Sequence, residues 1–408
     1  MVKTVIPGYN GFAEWTPESK YGAGMVGYAD KNAKTPVWDG TAFVIDDGTA
    51  GGESFTSPNK AKWIGPVANF KINDNVVASS VKYLKAHGEL QRSVSVIHSK
   101  AVEEVTVELE TTLQPRMTTD ATPVAINLVA IDGAFGPFLY CIGDGTQPSD
   151  KKNAIGQVVA AGLNVFLLGD NIGSVAFSAG IENSGTSGTD TNFMAFWGCK
   201  CQEATLSIAE DENIKMTATY ACGGVIGPTV TDYIGAANHA AQPSPMMDPL
   251  AYEAVQNLKY RTKAPCDAAW GDWADFDPVR SIEINVSNDL KLIKDVGAPD
   301  HLKKTRIVNA VILNREVTVT LEIDYNSFGL FTKVRDFNEF DIAFDIKYAS
   351  CETYEKAARI ILTGIKFTEM PLELSPEDII GDSMTSLPIS GMSIEDLDYD
   401  TPAELPAP

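Results

Sequence analysis

Glu104-Val105-Thr106-Val107-Glu108-Leu109-Glu110 returns, at an offset of 212 in the numbering, as Glu316-Val317-Thr318-Val319-Thr320-Leu321-Glu322. In both copies apolar and polar residues alternate with the two-residue period of a β-strand that has one dry and one wet face. Val105, Val107 and Leu109 form the dry face of the first copy; Val317, Val319, Leu321 and Ile323 form that of the second. A lone strand of this kind buries too little apolar surface to offset the entropy of ordering it, so it persists only inside a larger sheet.

The flanks agree at the same offset. Phe70, Ile72 and Asn73 fall on Ile282, Ile284 and Asn285. A later pair aligns at an offset of 166, where Gly198, Lys200, Glu203 and Leu206 meet Gly364, Lys366, Glu369 and Leu372. The offset falls by 46 (212 to 166), which puts an insertion of about that size in the first copy. The fold expected is mainly β, two tandem sandwich or barrel domains, each with a flanking helix and a long loop.

The expected boundaries are an N-terminal arm over 1–62, a first β domain over 63–227 with its insertion at about 111–192, a linker over 228–278, a second β domain over 279–391 and an acidic tail over 392–408. The arm is rich in Gly and Pro, with Trp15, Tyr21, Tyr28 and Trp38, and is expected to pack on a neighbouring subunit. Asp248 as N-cap and Pro249 as first helical residue, with Leu250, Ala254, Val255 and Leu258 on one face, predict a linker helix over 249–260. A second helix is predicted over 327–337 from the spacing of Phe328, Phe331 and Val334.

In the first copy, strands are expected at Ser93–Ile97 and Val102–Leu109 as a pair, then at 157–168, 174–179, 196–208 and 214–222; in the second, at 360–374 and 383–389. Each copy also carries a long connection, from about Val76 to Arg92 and from about Asn288 to Arg306. Both are basic, the first through Lys82 and Lys85, the second through Lys291, Lys294, Lys303 and Lys304. Loops of that length are uncommon unless they have a task. Solvated charge explains them, and so does a basic finger reaching an acidic surface on another copy.

Across 408 residues, 54 acidic against 32 basic side chains give a net charge of −22, which argues against a surface that embraces nucleic-acid phosphates. A wall past which DNA slides without sticking would carry that sign. No run of eighteen apolar residues occurs and no charged-then-apolar segment opens the chain, so neither a membrane span nor Sec export is expected. Cys141, Cys199, Cys201, Cys222, Cys266 and Cys351 are too scattered for a disulfide framework and read as reduced thiols, with Cys199 and Cys201 as small buried hydrophobes on one strand face.

No enzyme signature emerges, and no cofactor or metal is expected. His87, His98, His239 and His301 have no partner at helical spacing, and Gly143-Asp144-Gly145 lacks the Lys-Ser/Thr ending of a phosphate loop. Asp396, Asp398 and Asp400 alternate as in a calcium loop, but the glycine and closing glutamate are missing. Trp270, Trp273 and Phe276 with interleaved Asp272 and Asp275 make the best sugar-binding candidate; a linker anchored into a groove between domains or subunits explains them better.

Strand, long loop, Glu-Val-Thr-Val strand, helix, then a Gly-x-Lys strand with an acidic turn and a last strand: this order resembles the tail tube proteins of tailed bacteriophages and archaeal viruses. The segments that carry it are Ser281–Asn285, Asn314–Val319 and Leu362–Phe367, with Trp197–Lys200 and Leu206–Glu210 in the first copy. The resemblance implies a structural virion protein, made in the host cytoplasm and located in the tail. Three chains of two fused units would close a pseudo-hexameric ring, and rings would stack into the conduit for viral DNA. The partners implied are further copies of the chain and other tail proteins at the tube ends; DNA passes without specific binding, and no membrane is involved. By that analogy Glu104, Glu108, Glu110, Glu316 and Glu322 face the lumen, and Lys82, Lys85, Lys291, Lys294, Lys303 and Lys304 make contacts between rings. The competing expectations are a tandem β-sandwich that binds carbohydrate or cell surfaces through Trp270 and Trp273, and a carboxylate hydrolase.

Overall fold

The computed structural model describes residues 11–18, 21, 26–27, 36–38, 43–45, 53–54, 57–58, 61–83, 95–116, 127–182, 191–229, 239–240, 247–276, 278–295, 306–324, 329–348, 356–368, 381–397 and 405. It is mainly β and antiparallel throughout. In the first half the principal strands are β1 (Gly11–Pro17), β2 (Lys62–Trp63), β3 (Val67–Tyr83) and β4 (Ser95–Thr112), then helix α1 (Gly136–Ile142). β5 (Val165–Leu167), β6 (Val175–Glu182), β7 (Thr191–Ala209), β8 (Lys215–Cys222) and β9 (Gly224–Thr229) follow. The second half has β10 (Val255–Lys263), β11 (Ala274–Asp275), β12 (Val279–Asp295), β13 (Arg306–Asp324), helix α2 (Gly329–Arg335), β14 (Glu339–Tyr348), β15 (Lys356–Ile365), β16 (Gly381–Thr385) and β17 (Gly391–Leu397).

One pairing scheme occurs twice. Phe70 faces Leu109 across β3 and β4, and Ile282 faces Leu321 across β12 and β13, both at the offset of 212. Glu108 faces Thr219 where Thr320 faces Thr385, the partners now 166 apart. Phe196 opposite Val225 becomes Leu362 opposite Met392. Even the irregularities recur: a bulge between Val67 and Asn69 matches one between Val279 and Ser281, and one between Val175 and Phe177 matches one between Phe340 and Ile342. A bulge inserts one residue and re-aims the strand, so matching bulges give both halves the same bends.

The scheme reaches further along the chain than its sequence indicates. Glu14 faces Trp63 across β1 and β2, and Lys259 faces Asp275 across β10 and β11. β1, inside the expected arm, is therefore a sheet strand of the first half; Trp15 is fully buried in its own chain rather than against a neighbour. β10 and β11 place the expected linker inside the second half. The linker helix over 249–260 does not form: Tyr252–Ala254 make one 3-10 turn, and Val255–Lys263 run as β10 between β11 and β14. A β-branched Val255 and the ladder offered by β14 outweigh the capping signal at Asp248-Pro249. The tail expected from 392 is likewise a strand through Leu397, buried beside β15. The described part of the first expected strand, 95–97, and Val102–Leu109 are not a pair but one continuous strand, β4, with 93–94 outside the described residues, and 157–168 is strand only at β5. Helix α2 falls within its predicted span and buries Leu330 and Val334.

β7 organises the whole. Its N-terminal part pairs with β6 and β9, its C-terminal part with β8 on one side and β12 on the other. A seven-stranded sheet results, in the order β3-β4-β8-β7-β12-β13-β16, which runs without a break from the first half into the second. Facing it are β2-β1-β6-β7-β9 in the first half and β11-β10-β14-β15-β17 in the second, the latter extended by β5. The layers enclose one continuous core. Phe70 meets Phe177 and Phe196 at 6.0 and 6.1 Å, Phe177 meets Tyr220 at 4.9 Å, and Phe340 meets Phe367 at 5.4 Å, edge to face.

Candidate surface: the wet face of the shared sheet

The inward residues of the large sheet follow strict alternation: Val105, Val107 and Leu109; Ala204, Leu206 and Ile208; Ile282, Ile284 and Val286; Val317, Val319 and Leu321, all buried. The residues between them must then stand on the opposite face, and the register arranges them in rows across the strands. One row reads Lys71, Glu108, Thr219, Glu203, Ser287, Glu316. The next reads Asn69, Glu110, Thr217, Thr205, Asn285, Thr318. A third holds Lys215, Ser207, Glu283, Thr320 and Thr385, and Glu322 with Ser383 lies beyond it. Along these rows the acidic side chains Glu108, Glu110, Glu203, Glu283, Glu316 and Glu322 outnumber the basic Lys71 and Lys215.

Hydroxyls and amides knit the face laterally. Thr205 Oγ1 donates to Asn285 Oδ1 at 2.6 Å, Asn285 Nδ2 to Glu283 Oε1 at 2.7 Å, and the Thr320 and Thr385 hydroxyls are 3.1 Å apart. Lys71 Nζ lies 2.9 Å from Glu108 Oε2, and this partner, with Asn73, holds the Glu108 carboxyl below its ordinary range. A shallow trough of about 280 Å³ runs between β3, β4, β8 and β7, lined by Glu108, Glu110, Glu203, Thr205 and Thr217 among others. It is open, and polar and apolar atoms line it about equally. The chemistry of this face is that of a hydrated acidic wall.

Of the carboxylates singled out in the sequence, Glu108, Glu110, Glu316 and Glu322 share this one face. Glu104 lies on β4 opposite Asn75, with its side chain outside the described residues. Glu203 and Glu283 belong to the face too, and the alternation Glu203-x-Thr205-x-Ser207 and Ser281-x-Glu283-x-Asn285 carries that signal in the sequence.

The described residues of the long connections are strand. β3 and β4 pair as far as Tyr83 with Ser95, and β12 and β13 as far as Asp295 with Arg306, so each half extends a two-stranded arm. Lys82 and Lys294, related by the same offset as the strands, occupy the same place near the two tips, and Lys291 is exposed on the second arm. Lys85, Lys303 and Lys304 lie outside the described residues. Sequence reading missed what stands beside Lys291: Ile293, Val311 and Leu313 are 40%, 40% and 62% exposed. Ile293 and Val311 lie out of phase with Leu290, Ala310 and Ile312, which turn inward, so they form an apolar patch on the outer side of the arm.

The base of this arm is locked to the first half. Arg315 Nη2 donates to the Cys141 carbonyl at the end of α1 at 3.0 Å, and Nη1 donates to the Gly169 carbonyl. Arg315 Nε holds Asn288 Oδ1 at 2.7 Å, and Asn288 Nδ2 reaches Cys201 O at 3.1 Å. Lys200 Nζ donates to Ala310 O at 2.6 Å. A cation at the C-terminal carbonyls of a buried helix turn satisfies acceptors that have no partner within the helix.

The tryptophan cluster is occupied from within. The Arg261 guanidinium sits 4.9 Å from the ring centroids of both Trp270 and Trp273, and is itself anchored to buried Asp341 at 2.8 Å. Phe276 packs on Tyr260 at 4.6 Å. Asp396 lies buried, its carboxylate accepting from Val129 N at 3.1 Å and Asn164 Nδ2 at 2.8 Å. Among the described residues no group of three or more His, Cys, Asp or Glu is placed to hold a metal, and no helix is long and apolar enough to cross a membrane. No protein-family model and no curated protein matches this chain.

Proposed function

We propose that this chain is the subunit of a viral tail tube. Three copies close a ring of six like units, rings stack, and the acidic sheet face lines a conduit through which DNA passes without binding. The observation that carries the reading is the junction of β7 with β12. There the two halves, which share one pairing scheme, are joined edge to edge by a strand ladder from Glu203–Ser287 to Ala209–Ser281. A head-to-tail contact between like units that does not use itself up repeats until it closes. Among the described residues β3 pairs only with β4, so the first half still offers a sheet edge to another copy. Exposed edges of this length favour strand addition.

The charge supports the same reading. A duplex is a polyanion, and a hydrated wall rich in Glu and Thr gives it no counter-charge to rest on. The arms, with Lys82, Lys291 and Lys294 and the Ile293/Val311/Leu313 patch, are assigned to contacts between copies in successive rings. The carbohydrate-binding alternative loses its best site, because Arg261 already stacks on Trp270 and Trp273.

Negative-stain microscopy of the purified chain over a concentration series tests the proposal. Rings or tubes with six repeats around the axis are expected; isolated single-chain particles at every concentration would sink it.

A further inference from the structure

Four thiols are buried in the core of the first half, and two of them meet across strands. Cys199 on β7 and Cys222 on β8 stand one position beyond the Lys200–Ala221 pair of the ladder, directly opposite each other, with their sulfurs 2.6 Å apart. That is closer than two non-bonded sulfurs rest and longer than the ~2.05 Å of a disulfide bond. The other two, Cys141 and Cys201, also adjoin each other, and each has a further partner: Cys141 Sγ lies 3.4 Å from the Tyr220 hydroxyl, and Cys201 Sγ donates to the Glu203 carbonyl at 3.4 Å.

The pair has a lid. The Tyr21 side chain lies against Gly198 and Gly223, the neighbours of the two cysteines; a Cβ added at Gly198 would come within 2.9 Å of the ring, and one at Gly223 within 3.0 Å of the hydroxyl. Glu18 anchors this segment by accepting from Gly198 N at 3.0 Å. Burial raises both the Tyr21 hydroxyl and the Cys199 thiol above their ordinary ranges. The site also has leverage, because Cys199 follows Gly198, where β7 passes from the sheet shared with β6 and β9 into the one shared with β8 and β12.

We propose that Cys199 and Cys222 are a disulfide site, closed by a small-molecule disulfide when Tyr21 lifts, that staples the corner of β7 to β8. The thiolate of one cysteine attacks a sulfur of the oxidant RSSR and expels one RSH. The second cysteine then attacks the resulting mixed disulfide and expels another RSH, so two thiols are oxidised and one RSSR is reduced. The bond closes a loop across 199–222 and restricts the unfolded chain, which raises stability.

The sequence makes the test clean, since Lys200 separates Cys199 from Cys201 and trypsin leaves one cysteine in each of the peptides 153–200, 201–215 and 216–259. The native full-length chain is incubated with excess oxidised glutathione, alkylated, digested without reductant and mapped by mass spectrometry. Peptide 153–200 joined to 216–259 is expected, together with a Tm above that of the reduced protein. Alkylation of both cysteines, or a link from either to another cysteine, overturns the site. Tyr21→Ala is expected to speed bond formation at least several-fold, and an unchanged rate would remove the lid from the account. Cys222→Ser serves as the control and should show no oxidant-dependent rise in Tm.

Discussion

Gly198 and Gly364 hold the same left-handed backbone conformation, φ +60° and +68°, at the same point in the two pairing schemes. The residue before each, Trp197 or Thr363, faces another glycine across the ladder, Gly224 or Gly391. A Cβ on Gly224 would collide with the Trp197 ring, and one on Gly391 would meet Thr363 Oγ1 at 2.7 Å. Both corners are thus made from two glycines in the same arrangement, one supplying a backbone angle and the other supplying room.

Gly364→Ala should therefore destabilise the fold by roughly 1–3 kcal/mol, because the left-handed angle strains any L side chain and the new methyl would lie 2.7 Å from Ser390 Cβ. Gly198→Ala meets the Tyr21 ring instead at 2.9 Å and should also loosen the N-terminal segment, read as faster proteolysis there. Urea midpoints equal to that of the parent for both variants would remove the strain account.

Much of this was legible before any coordinates. The alternation at Val317, Val319 and Leu321 fixed a strand with one buried face, and the shared offsets of 212 and 166 matched pairings that the structure contains. What stayed hidden has physical causes. β1 and β10 correspond at an offset of 245, yet Trp15 matches Tyr260 and Glu14 matches Lys259, so only the ladder relates them. α1 was missed because its seven residues are all buried and so show no polar stripe. The acidic face was half visible: Glu108 and Glu316 stood in the repeated stretch, while Glu203 and Glu283 needed the β7–β12 register to bring them alongside.

Arg315 carries the link between the halves. Arg315→Met keeps the volume but leaves the Gly169 carbonyl, the Asn288 Oδ1 and part of the Cys141 carbonyl without their donor, at a cost of about 2–4 kcal/mol. Calorimetry should then resolve two transitions, or one broadened and lowered transition, where the parent gives one. An unchanged thermogram would show that strand pairing at β7 and β12 suffices by itself.

Glu395 sets a pH dependence. It is buried on β17 with Asn153 Nδ2 at 3.4 Å and Arg359 and Asp345 nearby, and burial pushes its carboxyl up from 4.5 to about 7. A raised carboxyl pKa means that the folded state holds the proton more tightly than the unfolded chain. The stability this contributes is complete below about 4.5 and is lost as pH rises through about 7. Glu395→Gln mimics the protonated form, so its advantage over the parent should grow across that window to roughly 2–3 kcal/mol. Parallel curves for the two proteins between pH 5 and 8 would contradict the assignment.

The acidic face is predicted to keep DNA from adhering. The parent chain should pass through a DNA-cellulose column at low salt, whereas the triple change Glu203→Lys, Glu283→Lys and Glu316→Lys should be retained and then released by added salt. Each is solvent-facing, so folding should survive, checked by circular dichroism. Retention of the parent itself would contradict a non-adhesive wall.

The outer patch of the second arm separates apolar from ionic contacts between copies. Ile293, Val311 and Leu313 present apolar surface that nothing within the chain's described residues covers, and Lys291 stands beside them. If this patch seats another copy, Leu313→Glu buries a charge at the contact and should abolish stacking while leaving the chain folded, since Leu313 is 62% exposed. Lys291→Glu with Lys294→Glu should weaken stacking too, but through exposed charge, so its effect should shrink as salt rises toward 1 M, where screening acts over about 3 Å. The parent, held by both kinds of contact, should lose part of its assembly in salt and not all of it. Light scattering against salt concentration reads all three proteins on one axis, and tubes formed normally by Leu313→Glu would take this arm out of the contact.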